Sequence, residues 1–263
     1  MGLENHGRQR PGLRWSSVFW VEGDSSGAGL DRNGRGARYS DAPAAGGRGD
    51  TMRSRIRVAT WCAVFLAVGV SARGEEPSET YIPLKEGMVW KYQVLLDQKP
   101  AGQTTTVSNL ASRNLKGKTA TPVQTSAGIT FLVTDGTGTY DFAQQSPADF
   151  EPKVATPPYD YEIKEPIKPG TTWTGHVDTG TPGSNQMSVT VNCSIRSVDE
   201  TVTVPAGTFT RCVRVDCSGV TNGTHVEWHH WLAPGVGLVS AIEKQWGIGP
   251  AQDVGLQLES VEK

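Results

Sequence analysis

Met88-Val89-Trp90-Lys91-Tyr92-Gln93-Val94-Leu95-Leu96 decides the fold. Met88, Trp90, Tyr92, Val94 and Leu96 occupy every second position and are all apolar or aromatic, with Lys91 and Gln93 between them. A period of two with one apolar face is a half-buried strand. Asp97–Gly102 (DQKPAG) reads as a turn, and 103–110 returns as a Thr-rich strand. Gly128–Thr134 is a further strand, closed by the hairpin signal Asp135-Gly136, and Thr139–Phe142 pairs back. Strands then follow at 171–178, 187–198, 201–204, 208–218, 224–232, 236–245 and 253–261. Residues 144–170 carry prolines at 147, 152, 157, 158, 166 and 169 and read as an irregular loop. No stretch of ten residues keeps a helical period. The expectation is an all-β, antiparallel fold of consecutive hairpins with little helix.

Working back from Met88, the composition breaks. Residues 1–51 hold seven Arg, eleven Gly and no Lys. Met52 opens a stretch with Arg53, Arg55 and Arg57, and the thirteen uncharged residues Val58–Val70 follow. Ser71-Ala72-Arg73-Gly74 then precede the acidic Glu75-Glu76. Basic, apolar and small-residue segments in that order form a secretory signal peptide. Thirteen residues fall short of the ~20 a membrane-spanning helix needs. The expected division is a mis-annotated or disordered extension at 1–51, a signal peptide at 52–74 and one β domain at 75–263, secreted or periplasmic after cleavage. Within 75–263, 14 Lys and Arg face 21 Asp and Glu, a net charge near −7. That disfavours nucleic acid as a partner, and the membrane enters only through export.

Three motifs punctuate the strands. Pro83–Trp90 (PLKEGMVW) has an echo in Pro166–Trp173 (PIKPGTTW), sharing P-[LI]-K-x-G-x-x-W. Two readings stand: equivalent lips of a cavity, or two strand entries with the same turn chemistry. Val202–Phe209 (VTVPAGTF) places Pro205 and Gly207 in a turn between strands, and Trp231–Val239 (WLAPGVGLV) is a further hairpin. Taken in order, these motifs resemble an uncharacterised family of exported bacterial all-β proteins over about 81–245. The resemblance implies a strongly curved antiparallel sheet, a half-barrel or open barrel distantly similar to the periplasmic lipoprotein carriers. It implies no catalytic residue and no cofactor.

The chemistry-bearing clusters are few. No G-x-S-x-G, P-loop, C-x-x-C or H-E-x-x-H occurs. His225, Glu227 and His229 project from one strand face, a spacing open to Zn²⁺ in a metal-dependent hydrolase or, more plainly, a solvated face. Asp135, Asp141, Asp149, Glu151, Asp160 and Glu162 read as solvated charges rather than a glycosidase pair. Trp90, Trp173, Trp228 and Trp231 are candidates to line a ligand pocket or to fill the core. Tyr159 and Tyr161 read as an exposed pair. Three functions remain: a noncatalytic domain binding an apolar ligand or an envelope partner, a scaffold with no ligand, or the hydrolase.

A disulfide between Cys193 and Cys217 follows from register. Pairing Val204 with Gly207 sets Val202 against Phe209 and Val198 against Val213. A one-residue bulge near Arg196-Ser197 then aligns Ile195 with Val215 and Cys193 with Cys217, leaving Cys212 free. Export permits the oxidation.

Overall fold

The computed structural model describes residues 80–179, 187–247 and 251–263. The segments read as extension and signal peptide, 1–51 and 52–74, lie outside them. Among the described residues there is no helix, and fourteen strands form one antiparallel sheet that is not closed into a barrel. In chain order they are β1 (Val89–Leu96), β2 (Lys99–Asn109), β3 (Arg113–Leu115), β4 (Lys118–Thr125), β5 (Gly128–Asp135), β6 (Gly138–Gln145), β7 (Lys153–Val154), β8 (Tyr161–Lys164), β9 (Thr172–Thr179), β10 (Met187–Val204), β11 (Gly207–Thr221), β12 (Thr224–Ala233), β13 (Gly237–Trp246) and β14 (Gln252–Glu262). Twelve of them run β7-β6-β5-β4-β2-β1-β14-β13-β12-β11-β10-β9, while β3 pairs with β4 and β8 with β6. The first and last strands therefore meet in the middle of the sheet.

With no helix to cover it, the sheet buries one face by curling. Laid flat, twelve strands spaced ~4.8 Å apart would hold their ends about 50 Å from one another. Instead the His176 backbone N–H on β9 donates to Asp160 Oδ1, just before β8, at 2.8 Å. The two arms meet there through a carboxylate rather than a ladder. The inner face carries the main core: Trp90, Tyr92 and Val94 of β1, Val189–Ile195 of β10 on alternate positions, Val213 and Val215 of β11, Trp228 of β12, and Leu256 and Leu258 of β14. Tyr92 is fully buried, its hydroxyl donates to Leu238 O at 2.9 Å, and burial pushes its pKa well above the usual phenol value.

Several strands depart from the sequence reading. Leu96 is 44% exposed and Leu95 is buried, because a register shift between Gln93 and Leu95 turns the apolar face over by one residue. The tight turn is only Asp97-Gln98, both at positive φ, so β2 already begins at Lys99. β3 and β4 lie in a stretch that gave no strand signal. The 144–170 segment supplies β7 and β8, both paired to β6. Its Tyr159 stacks on Tyr140 at 4.6 Å and Tyr161 meets the same ring edge-on, so this pair covers a second small core rather than standing exposed. Asp141 is buried, not solvated. Both arms of the P-[LI]-K-x-G-x-x-W echo are strand entries. Met88 N–H bonds Lys85 O and Thr171 N–H bonds Lys168 O, and Gly87 and Gly170 take positive φ before a buried Trp.

The β10–β11 hairpin is the clearest test of the register argument. Val204↔Gly207, Val202↔Phe209, Ile195↔Val215 and Cys193↔Cys217 all pair as expected. Val198 does not pair with Val213. Arg211, at φ 56, inserts an extra residue on β11, so Glu200 faces Cys212, and shifts on β10 then restore the alignment.

Removing only the Tyr92 hydroxyl tests how tightly the curl is held. Tyr92→Phe leaves a buried carbonyl without its donor and is expected to lower stability by about 1–3 kcal/mol in urea unfolding.

Candidate functional site

The chain enters the sheet through a strap, residues 80–87, that crosses the inner face. Gly235 N–H donates to Thr80 O at 2.9 Å, and Tyr81 Oη donates to Arg211 O at 3.3 Å. Asn109, at the end of β2, donates both Nδ2 protons to the strap, to Pro83 O at 2.9 Å and Lys85 O at 3.1 Å. Trp90 Nε1 donates to Val236 O at 2.6 Å. Gly237 sits at φ 95, and a Cβ there would lie 3.3 Å from Pro83 Cδ. The first and third sequence motifs are thus two halves of one clasp. Local chemistry accounts for both: Gly87 and Gly235 permit the turns, and Pro83 and Pro234 stiffen them.

Beneath the strap lies a pocket lined by Ile82, Pro83 and Leu84 of the strap, Trp90 and Asn109, Glu162 of β8, His230 and Leu232 of β12, and Gly237 and Leu238 of β13. Its walls are mainly apolar. The cavity volume open to a water centre is about 20 Å³, enough for a water and far short of a ligand chain. Three polar side chains line it: Asn109, Glu162 and His230. Glu162 and His230 come from the two arms of the sheet, and Glu243 Oε1 stands 3.9 Å behind His230 Nε2. The indole of Trp228 lies over His230 with ring centroids 6.4 Å apart.

The structure divides the four tryptophans. Trp90 lines the pocket, Trp173 and Trp228 belong to the core, and Trp231 lies on the outer face. Trp231 Nε1 donates to Glu200 Oε2 at 2.6 Å, and the Arg214 guanidinium lies 5.2 Å above its ring. The four do not make one wall. Of the echoed lips, only the first contributes to the pocket.

His225, Glu227 and His229 do share the outer face of β12, but they do not converge on one point. His229 Nδ1 is 2.7 Å from Asp216 Oδ1 and Nε2 is 3.3 Å from Glu227 Oε1, while Arg214 Nε bonds the same Asp216 oxygen. His225 stacks on Trp246 at 5.2 Å. Among the described residues no three His, Cys, Asp or Glu are placed to hold a metal ion. His229, with 16% of its side chain exposed, is a network member rather than a solvated residue. A second network surrounds Lys118, whose ammonium donates to Tyr140 Oη at 2.6 Å beside Asp135. The Tyr140 bond raises the Lys118 pKa, and bonds from Thr137 lower that of Asp135.

Cys193 and Cys217 form a disulfide. Their Cα atoms are 4.0 Å apart, the close spacing of a non-hydrogen-bonded antiparallel pair, which lets the sulfurs meet. Cys212 is free and buried, and burial pushes its thiol pKa up. Across the strands the row reads Trp173, Cys193, Cys217, Trp228, Glu243. A disulfide fits an extracytoplasmic location.

The fold and site define an all-β protein with an open, curled sheet and a strapped pocket. No family model and no curated protein sequence matches the chain. Two crystal structures show slight similarity. One, from Parabacteroides distasonis, is provisionally described as a lipoprotein; it is 14% identical, with a TM-score of 0.37, covering 71% of this chain and 100% of its own. The other, from Bacteroides fragilis, is provisionally described as an exported protein with a YmcC-like fold; it is 16% identical, with a TM-score of 0.34, covering 70% of this chain and 100% of its own. Similarity at this level fixes neither fold nor function.

Two measurements check the outer and inner faces. Reducing the disulfide is expected to raise tryptophan emission, because an S–S bond between Trp173 and Trp228 quenches both, and to cost roughly 3 kcal/mol of stability; peptide mapping without reduction should recover Cys193 linked to Cys217. On the outer face, His229→Ala is expected to destabilise by about 1–2 kcal/mol, by leaving Asp216 and Glu227 close without a donor between them. His225→Gln should stay within about 0.5 kcal/mol. Equal losses for the two variants would show that the network carries no stability.

Proposed function

We propose that this is an exported, noncatalytic β protein, secreted or periplasmic after cleavage before Glu75, that binds an apolar ligand in the pocket beneath the strap. The observation that carries the reading is what fills the site. The inner wall is closed by a segment outside the sheet, whose Ile82, Pro83 and Leu84 lie where a ligand's apolar chain would lie. The strap is held by a handful of hydrogen bonds, so an entering chain exchanges one set of apolar contacts for another rather than opening a packed core. The signal-peptide layout of 52–74 and the disulfide support export.

Decanol titrated into the exported protein is expected to bind saturably and to change the emission of Trp90, and Trp90→Phe should remove most of that change. Absence of saturable binding, with no apolar molecule retained in native mass spectrometry, would leave an envelope partner or a scaffold role as the function.

A further inference from the structure

We propose that the free edge of β9 receives an extended strand from a partner protein, laid antiparallel to β9 as β14 is to β1. This surface is independent of the pocket and follows from an internal structural repeat that carries the P-[LI]-K-x-G-x-x-W echo beyond its turn. Gly87 N–H donates to Asn109 O at 3.0 Å, and Asn109 N–H donates back to Met88 O at 2.9 Å. In the second unit Gly170 N–H donates to Ile195 O at 2.9 Å, and Ile195 N–H donates back to Thr171 O at 2.9 Å. Two residues further in, Trp90 pairs with Val107 and Trp173 with Cys193. At their entries β1–β2 and β9–β10 are the same two-stranded unit, used twice.

The two units differ in what lies beyond their first strand. β14 ladders onto the other side of β1, from Val89↔Glu262 to Leu96↔Val254. Among the described residues β9 ends the sheet order, and no ladder joins its outer edge to β8. The indoles record the same difference. Trp90 Nε1 donates to Val236 O, a carbonyl on the far side of β14. Trp173 is 6% exposed, and its buried Nε1 has no acceptor among the described residues. A buried donor left without an acceptor is costly, and in the first unit the chain segments that cover β1 remove that cost.

The seam between the arms suits one strand. Asp160 Oδ1 spans it to the His176 N–H at 2.8 Å, and His176 Nδ1 lies 3.4 Å from the same oxygen. A carboxylate at an edge guards it against indiscriminate pairing. With the β8 arm this close, the site admits a single extended segment and not the edge of a second folded sheet. Such a segment offers its carbonyls to the N–H groups of Thr174 and His176 and lays alternate apolar side chains over the inner face. There it meets Trp173 and the buried Gly175, which leaves room for a large side chain.

The probe is a labelled peptide of residues 252–262 (QDVGLQLESVE), the strand that fills the equivalent place on β1. Titrated into the disulfide-intact protein, it is expected to bind saturably by fluorescence anisotropy and to slow amide exchange in β9 but not in β1. Thr174→Pro removes an N–H that points away from β10, since the His176 N–H two residues on points across the seam, so the β9–β10 ladder is spared. That variant is expected to melt near the wild type and to bind the peptide about ten-fold more weakly or worse. No saturable binding up to about 1 mM peptide overturns the proposal. Binding that survives Thr174→Pro, or exchange slowed in β1 instead of β9, means substitution for β14 and overturns it too. Dimerisation of the protein alone that Thr174→Pro abolishes would assign the edge to a second molecule of this protein and overturn the partner strand. None of these failures touches the pocket, which the decanol titration decides.

Discussion

A sheet with one apolar face and no helix to lay on it must cover that face with itself. In this protein the covering is done by curvature, and the rest follows from how the curl is held. The Trp90 indole and the Tyr92 hydroxyl leave β1 and end on carbonyls at the start of β13, 146 residues later in the chain. These bonds cross β14, which lies between, and draw the middle of the sheet inward. At the far ends Asp160 takes the His176 amide where a closed barrel would have a ladder. The arms therefore touch without zipping. One gap in the inner lining remains, and the strap fills it. A fully closed barrel would have no need of a strap, and a flatter sheet would expose too much apolar surface for one to cover.

Where the sequence revealed this arrangement and where it did not has a physical reason in each case. The Cys193–Cys217 pairing was legible because the hairpin is local. Turn chemistry at Val204–Gly207 sets the starting register, and apolar alternation carries it outward. The same logic misplaced Val198, because the extra residue at Arg211 has no compositional mark: a bulge costs one unpaired residue and leaves the apolar pattern on either side intact. Leu96 failed for the same reason at the other end of a strand. β4 escaped because Pro122 sits inside it and Thr119, Ala120 and Thr121 precede it, a pattern that resembles a loop. It is a strand because both of its faces are covered, one by the main core and one by the small core of Phe131, Tyr140 and Phe142.

The pocket had no such local signature. Its lining comes from the strap, β1, β2, β8, β12 and β13, and no spacing links Glu162 to His230 across the sequence. The conspicuous His225-Val226-Glu227-Trp228-His229-His230 run drew attention to its odd positions, which face outward, Glu227 and His229 into ion pairs and His225 onto Trp246. The residue of that run that reaches the pocket is His230, on the other side of the strand. Strand alternation made the two faces separable in principle. Deciding which face was interior needed the partner strands, where Trp228 lies between Cys217 and Glu243.

The first and third motifs serve the clasp, not the polar lining. Pro83, Gly87, Trp90, Gly235 and Gly237 fix the strap by backbone geometry and shape, so many side chains elsewhere in the pocket are compatible with them. Glu162 and His230 are the opposite case. Burying ionisable groups beside leucine and tryptophan lowers stability, and apolar residues of similar volume would pack there at less cost. Sequences tend to break their own folding rules where a site demands it. The clasp and the lining therefore carry different information. The clasp says that the inner face is to be covered, and the polar lining breaks the apolar surface beneath that cover.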